Sequence, residues 1–326
     1  MLAEFDLIQR YFTRAADTTH GVALGVGDDA TLLTPTPGQQ LVVSVDTSVV
    51  DVHFPADAPA RAIGHRALAV ALSDLAAMGA SARWTLMALT LNEVGGHADA
   101  DDALIEAWLH DYAEGFHALC ARHGAALVGG DVTRGALTIG VTVMGEVPSN
   151  DALTRAGARP GDILAVTGAL GGGAGGLALW QRGERDLAHP LLKRYLLPEP
   201  RLAAGRALRG LASAALDISD GLLADLAHLL KASQVGAALE LDALPLAEGL
   251  EQALGEEAAR TAALSGGDDY ELLVALPPTQ WSTACQRLSA QGMTLTAIGR
   301  CTNTLGLTGV PAGVRTGWQH FHREAP

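Results

Sequence analysis

Aspartates set beside small residues recur along this chain of 326 residues: Gly27-Asp28-Asp29, Ser44-Val45-Asp46-Thr47, Leu72-Ser73-Asp74, Gly129-Gly130-Asp131, Asp217-Ile218-Ser219-Asp220-Gly221 and Gly266-Gly267-Asp268-Asp269. An aspartate at a strand end projects its carboxylate into a crevice, and a neighbouring glycine lets a bulky ligand approach the backbone. Hard divalent cations such as Mg²⁺ take oxygen ligands, a few carboxylates plus substrate phosphates. Any one cluster taken singly reads better as a turn, where Asp and Gly are common. Six clusters in one acidic chain point instead to a shared metal–phosphate site. Asp74 sharpens the point, because a carboxylate inside an apolar helix does not face a core unpaired.

Other chemistries find less support. Thr167 to Gly176 contains a formal G-x-G-x-x-G at Gly171, Gly173 and Gly176, after a strand and opening a helix. A dinucleotide-binding turn needs a second strand ending in an acid about 20 residues on, and the segments Leu191–Leu197 and Arg201–Leu208 read as helices. The glycine-rich turn is left with two readings, lying against a phosphate or packing closely. No G-x-x-x-x-G-K-[ST], G-x-S-x-G or H-E-x-x-H occurs, which removes the P-loop, the nucleophile elbow and the zinc protease. The eleven histidines are scattered. His53 differs by position, seven residues after Asp46 and next to Phe54.

The elements that must carry these residues are those of a two-domain α/β (α+β) chain. Hydrophobic residues at 48% and charged residues at 18% exclude disorder, and the length exceeds one ordinary core. Net charge is −14, with no basic run, so neither nucleic acid nor an anionic membrane is an expected partner. Cys120, Cys285 and Cys301 form no C-x-x-C and suit a reducing cytoplasm. The start, Met1 to Ile8, lacks the basic and apolar regions of a signal peptide, and no apolar run of about 18 residues spans a membrane. Phe5–Phe12 reads as a short helix, Leu41–Val45 as a strand ending at Asp46, and Pro59 opens an Ala/Leu-rich helix to about Met78. Arg83–Leu91 reads as a strand, Asp101–Arg122 as a helix, and Ala125–Val128 and Leu137–Val147 as strands. Pro148 to Ala152 is a linker. Beyond it, strands are expected at Asp162–Thr167, Ala214–Ile218, Ala237–Leu241, Glu271–Leu276 and Thr294–Ile298.

In order, the motifs resemble the thiamine-monophosphate kinase family, in the superfamily that includes aminoimidazole ribonucleotide synthetase. They are GVGDDA at 25–30, SVDT at 44–47 with His53 and Phe54, and AVALSDLAAMGA at 69–80. GGDVTR at 129–134, LTR at 153–155 with Gly161 and Asp162, DISDG at 217–221 and SGGDDYEL at 265–272 follow, and GWQHF at 317–321 closes the set. Two positions depart from the family pattern: Val132 stands for its usual threonine, and Asp268 for the glutamate common after Gly-Gly. The resemblance implies ATP- and Mg²⁺-dependent phosphorylation of thiamine monophosphate to thiamine diphosphate by direct in-line transfer, in the cytoplasm. It implies residues 1–148 as an ATP/Mg-binding domain, whose mixed sheet pairs across a homodimer axis. Residues 149–326 would be an α/β sandwich completing the active site. Carried over by motif, Asp29, Ser44, Asp46, Asp74, Asp131, Asp217 and Asp220 would hold several Mg²⁺ ions. Gly130, Asp131, Arg155 and Ser219 would contact ATP, and His53, Asp268 and Trp318 thiamine monophosphate. No general base is expected, because the attacking phosphate oxygen is already ionised at pH 7. Trp318 suits a cationic ring, and Arg155 a phosphate. The alternatives are aminoimidazole ribonucleotide synthetase itself and a non-catalytic nucleotide-binding relative.

Overall fold

A computed structural model of the chain describes residues 4–14, 20–91, 102–311, 313–314 and 317–318. Asp101, where the sequence starts its second long helix, and residues 319–321 of the closing motif lie outside the described residues. The chain divides into two compact units, one of Met1–Leu75 with Ala80–Asn150, the other of Ala76–Gly79 with Asp151–Pro326.

The first unit opens with α1 (Glu4–Leu7), which widens into a π-helical turn over Ile8–Phe12. A small hairpin of β1 (Val22–Leu24) and β2 (Leu32–Leu33) follows, then β3 (Gln39–Val49), α2 (Ala60–Ala77), β4 (Ser81–Thr90), α3 (Asp102–His123), β5 (Ala126–Thr133) and β6 (Thr138–Pro148). The four long strands lie in the order β3-β6-β4-β5, antiparallel except for the β4–β5 pair. The helix α2 is apolar on almost every side and accordingly almost wholly buried. It crosses α3 at two glycines: a Cβ on Gly64 would overlap the Tyr112 carbonyl, and one on Gly115 that of Arg61. That close crossing seats Trp108, Tyr112 and Phe116 in the core.

Two strands run further than the sequence suggests. The strand β3 continues four residues past Val45, because Asp46 and Ser48 share a face with Ser44 and the alternation is unbroken. Asp46 is therefore inside a strand, not at its end. The strand β5 continues through Gly129, Gly130 and Asp131, which the sequence reading leaves beyond Val128. Gly130 has φ +151°, and a Cβ there would overlap the Met87 carbonyl, so only glycine allows this pairing with β4.

The second unit contains β7 (Ile163–Thr167), α4 (Gly172–Gln181), α5 (Pro190–Leu196), α6 (Leu202–Leu208), β8 (Ala214–Asp217), α7 (Leu222–Ser233) and β9 (Gly236–Leu239). It continues with α8 (Leu250–Leu254), α9 (Glu256–Ser265), β10 (Leu272–Leu276), α10 (Trp281–Ser289), β11 (Leu295–Thr302) and β12 (Leu307–Thr308). The sheet order is β12-β9-β11-β7-β10-β8, antiparallel apart from β12–β9. In α7 the buried positions Leu222, Leu226, Leu229 and Leu230 recur at helical spacing, and that stripe packs with Val166, Leu216 and Leu273 of the sheet.

Candidate active site

Within the first unit the predicted acids fall into two groups. Ser44 and Asp46 point from β3 towards α2, where the Ser44 hydroxyl donates to Asp74 Oδ2 at 2.5 Å. Asp74 thus has the partner that its place in an apolar helix demands. Burial first, and the Asp74 carboxylate second, push the Asp46 carboxyl up to about 6. Two carboxylates and a hydroxyl, all oxygen donors, crowd one spot.

The second group lines a pocket of about 680 Å³ between the Gly25–Thr31 loop and β5, with Asp28, Asp29, Gly130 and Asp131 on its wall. Ile8 and Phe12 supply an apolar side. The strand register puts Asp131 in a row with Ala88, Gly140 and Thr47, and Asp46 in a row with Val141 and Met87. Neighbouring rows present opposite faces, so Asp131 and Asp46 leave the sheet on opposite sides. Among the described residues no three His, Cys, Asp or Glu side chains are gathered closely enough to hold a metal ion.

His53 sits in the turn after β3, where its Nδ1 accepts from the Val49 backbone N–H at 2.9 Å. That bond leaves the ring hydrogen on Nε2. The His53 carbonyl in turn accepts from Nε of the buried Arg66.

In the second unit, β8 ends at Asp217, and the turn Ser219–Gly221 leads into α7. Asp225, one helical turn in, accepts the N–H groups of Ser219, Asp220 and Gly221 on one oxygen at 3.0–3.1 Å. Burial, then the Asp220 carboxylate, raise the Asp225 carboxyl to about 6 against the pull of those three donors. The Ser219 carbonyl accepts from the Asp268 N–H at 2.9 Å, and the Asp220 carbonyl from the Trp318 N–H at 3.0 Å. Ser219, Asp220, Asp268 and Trp318 are therefore brought together, with Trp318 still 54% exposed. Arg155 is not brought to them. Its carbonyl accepts from Ser233 at the other end of the 12-residue α7, about 18 Å away at 1.5 Å per residue.

The glycine-rich turn at 168–176 has a packing role. Gly171 and Gly173 donate their N–H groups to Asp269, whose carboxyl burial raises to about 7. The N-terminus of α4 thus already holds an anion of the chain's own, and the strands around it are antiparallel, so the dinucleotide reading falls. Sequence reasoning missed Asp28, Asp225 and Asp269 as working residues. Asp28 and Asp269 each adjoin an aspartate of the candidate set, and Asp225 lies four residues after the Asp220-Gly221 pair.

The model of AIR synthase related protein, N-terminal domain, matches residues 27–147, and that of the C-terminal domain matches residues 159–310. Thiamine-monophosphate kinase of Escherichia coli (strain K12) is 42% identical over 303 residues, 92% of this chain and 90% of that protein. The crystal structure of thiamine-monophosphate kinase from Stenotrophomonas maltophilia K279a superposes with a TM-score of 0.83 at 43% identity, covering 94% of this chain and 96% of that one. AaThiL complexed with AMPPCP and TMP superposes with a TM-score of 0.77 at 28% identity, over 88% and 89% of the two chains.

Proposed function

We propose, for a chain that belongs to the thiamine-monophosphate kinase family of AIR synthase related proteins, that it transfers the terminal phosphoryl group of ATP to thiamine monophosphate, giving thiamine diphosphate. The observation that carries this reading is the likeness, over most of both chains, to a relative complexed with AMPPCP and TMP.

The chain's own residues suit direct transfer between two phosphates. The acceptor oxygen is ionised at pH 7, so the difficulty is bringing two polyanions into line. His53, the one imidazole expected at the acceptor, already spends Nδ1 on Val49 and carries its hydrogen on Nε2, which makes it a donor to an anion rather than a base. Ser44, Asp46 and Asp74 fit Mg²⁺, since the set is all oxygen and the raised Asp46 carboxyl marks a place where a cation relieves repulsion. Bound Mg²⁺ would supply positive charge against the phosphates of both substrates. Asp29 and Asp131, with Asp217 and Asp220 in the second unit, are assigned as further ligands. ATP is assigned to Gly130, Asp131, Arg155 and Ser219, and thiamine monophosphate to His53, Asp268 and Trp318. Of these, Arg155 has the least support from its surroundings.

A homodimer belongs to the same proposal. Leu41, Val43 and Val45, on the face of β3 turned away from Asp46, are 49%, 55% and 65% exposed. A stripe of large apolar side chains on one sheet face is characteristic of a protein contact. The test of the activity is ATP consumption with thiamine monophosphate, free thiamine or formylglycinamidine ribonucleotide, each with and without Mg²⁺. Turnover confined to thiamine monophosphate with Mg²⁺ is expected. Equal turnover with formylglycinamidine ribonucleotide would overturn the assignment.

A further inference from the structure

The loop Gly266–Glu271 alternates in direction. Asp268 and Tyr270 both have left-handed backbones, φ +69° and +51°, which non-glycine residues adopt only when their surroundings over-determine it. Between and after them, Asp269 and Glu271 plunge into the protein. Asp269 takes the Gly171 N–H at 2.8 Å and the Gly173 N–H at 3.3 Å. Glu271 is fully buried, and its two oxygens receive the Thr167 hydroxyl at 2.7 Å, Arg194 at 3.1 Å and both arms of the Arg201 fork at 2.7 and 2.5 Å.

The receiving turn is shaped to this loop. A Cβ on Gly168 would overlap the Glu271 carboxylate, and one on Gly173 would overlap the Asp268 backbone. On its other side the loop pairs with the DISDG turn, through Asp268 N–H to Ser219 O and Tyr270 N–H to Ile218 O. The Tyr270 hydroxyl completes the arrangement by donating to Asp268 Oδ1 at 2.8 Å.

We infer that Asp269 and the Glu271–Arg201–Arg194 cluster are positioning residues for the acceptor: clamped on the glycine-rich turn, they hold Asp268 in its left-handed conformation beside Ser219, Asp220 and Trp318. The inference rests on the reading of Asp268 as a contact of thiamine monophosphate. Neither Asp269 nor Glu271 touches substrate in this account. They act through Asp268 alone, so their removal should have no effect once Asp268 is gone.

Steady-state constants for both substrates are measured on the full chain as wild type, Asp268→Ala, Asp269→Asn and the double variant. Asp269→Asn keeps the side chain's size but turns an amide donor towards a backbone N–H. It is expected to raise KM for thiamine monophosphate at least 10-fold and to leave KM for ATP within twofold. In the double variant Asp269→Asn should add nothing to the effect of Asp268→Ala. Multiplied effects, or a fall in kcat with neither KM changed, overturn the inference. Should Asp269→Asn not fold, Arg201→Lys serves, since it keeps the charge beside Glu271 but loses the fork. About a threefold rise in the thiamine monophosphate KM alone is then expected, and equal rises for both substrates overturn the inference. Wild-type protein inactive on thiamine monophosphate would instead be the failure of the functional reading. An unchanged KM in Asp268→Ala would remove the role of Asp268, and the clamp's with it.

Discussion

Asp46→Asn should make the metal-free protein more stable at pH 8 while abolishing its activity. In the unfolded chain this carboxyl loses its proton near 3.8, whereas in the fold, buried and beside Asp74, it holds the proton to about 6. Between those values the folded state binds more protons than the unfolded one, so the wild type loses stability as pH rises from about 4 to about 6 and stays at the lower level above. Each pH unit in that interval is worth about 1.4 kcal/mol, giving about 3 kcal/mol as the upper bound on the cost of an ionised Asp46. Asparagine never ionises and escapes that cost. A gain of about 1–3 kcal/mol corresponds to a melting temperature about 2–10 °C higher at pH 8, with the difference closing towards pH 4. Thermal unfolding in EDTA at the two pH values measures it. Adding Mg²⁺ should then raise the melting temperature of the wild type more than that of the variant, which keeps only the ligands away from Asp46. An asparagine variant less stable than the wild type at pH 8, or equally displaced at both pH values, would mean that this carboxylate is not held against its own electrostatics.

Gly130→Ala should cost about 1–3 kcal/mol of backbone strain and weaken ATP binding at least 10-fold, read by thermal unfolding and nucleotide titration, because the Met87 carbonyl occupies the space of the new methyl group. Asp225→Ala should lose about 2–3 kcal/mol, the worth of hydrogen bonds to a charged group, since three backbone N–H groups lose one acceptor; denaturant unfolding measures it. His53→Asn should leave the acid limb of the pH–rate profile in place near pH 6, where the acceptor phosphate takes its second ionisation; loss of that limb would make His53 a proton acceptor. Val43→Asp with Val45→Asp should shift the protein from dimer to monomer in sedimentation, since charge on an exposed apolar stripe opposes a protein contact there.

Much of this was legible in the sequence because its local signals agree with each other. The Pro59 start of α2, the helical spacing of leucines in α7 and the apolar runs of β7 and β10 each name an element unaided. The strands β3 and β5 were cut short for the same reason that they matter. Ser44, Asp46 and Ser48 make the buried face of β3 polar, and two glycines interrupt β5, so the candidate site residues break the apolar pattern that reveals a strand. Asp74 could be singled out because its helix is otherwise apolar, but its partner Ser44 lies 30 residues away and only the folded chain joins them. The glycine-rich turn resembled a phosphate cradle because both uses require exposed N–H groups at a helix start. That the anion is Asp269, 96–98 residues later, is a fact of topology.

Direct transfer from ATP to thiamine monophosphate, with no covalent intermediate on the chain, is the step on which the proposed function stands. Its most direct test is the configuration at phosphorus. ATP made chiral in its terminal phosphoryl group by oxygen isotopes is turned over with thiamine monophosphate and Mg²⁺, and the thiamine diphosphate formed is analysed. A single in-line displacement predicts inversion, with the label in the terminal phosphate. Retention would mean two displacements through a phosphorylated residue, and would exclude direct transfer.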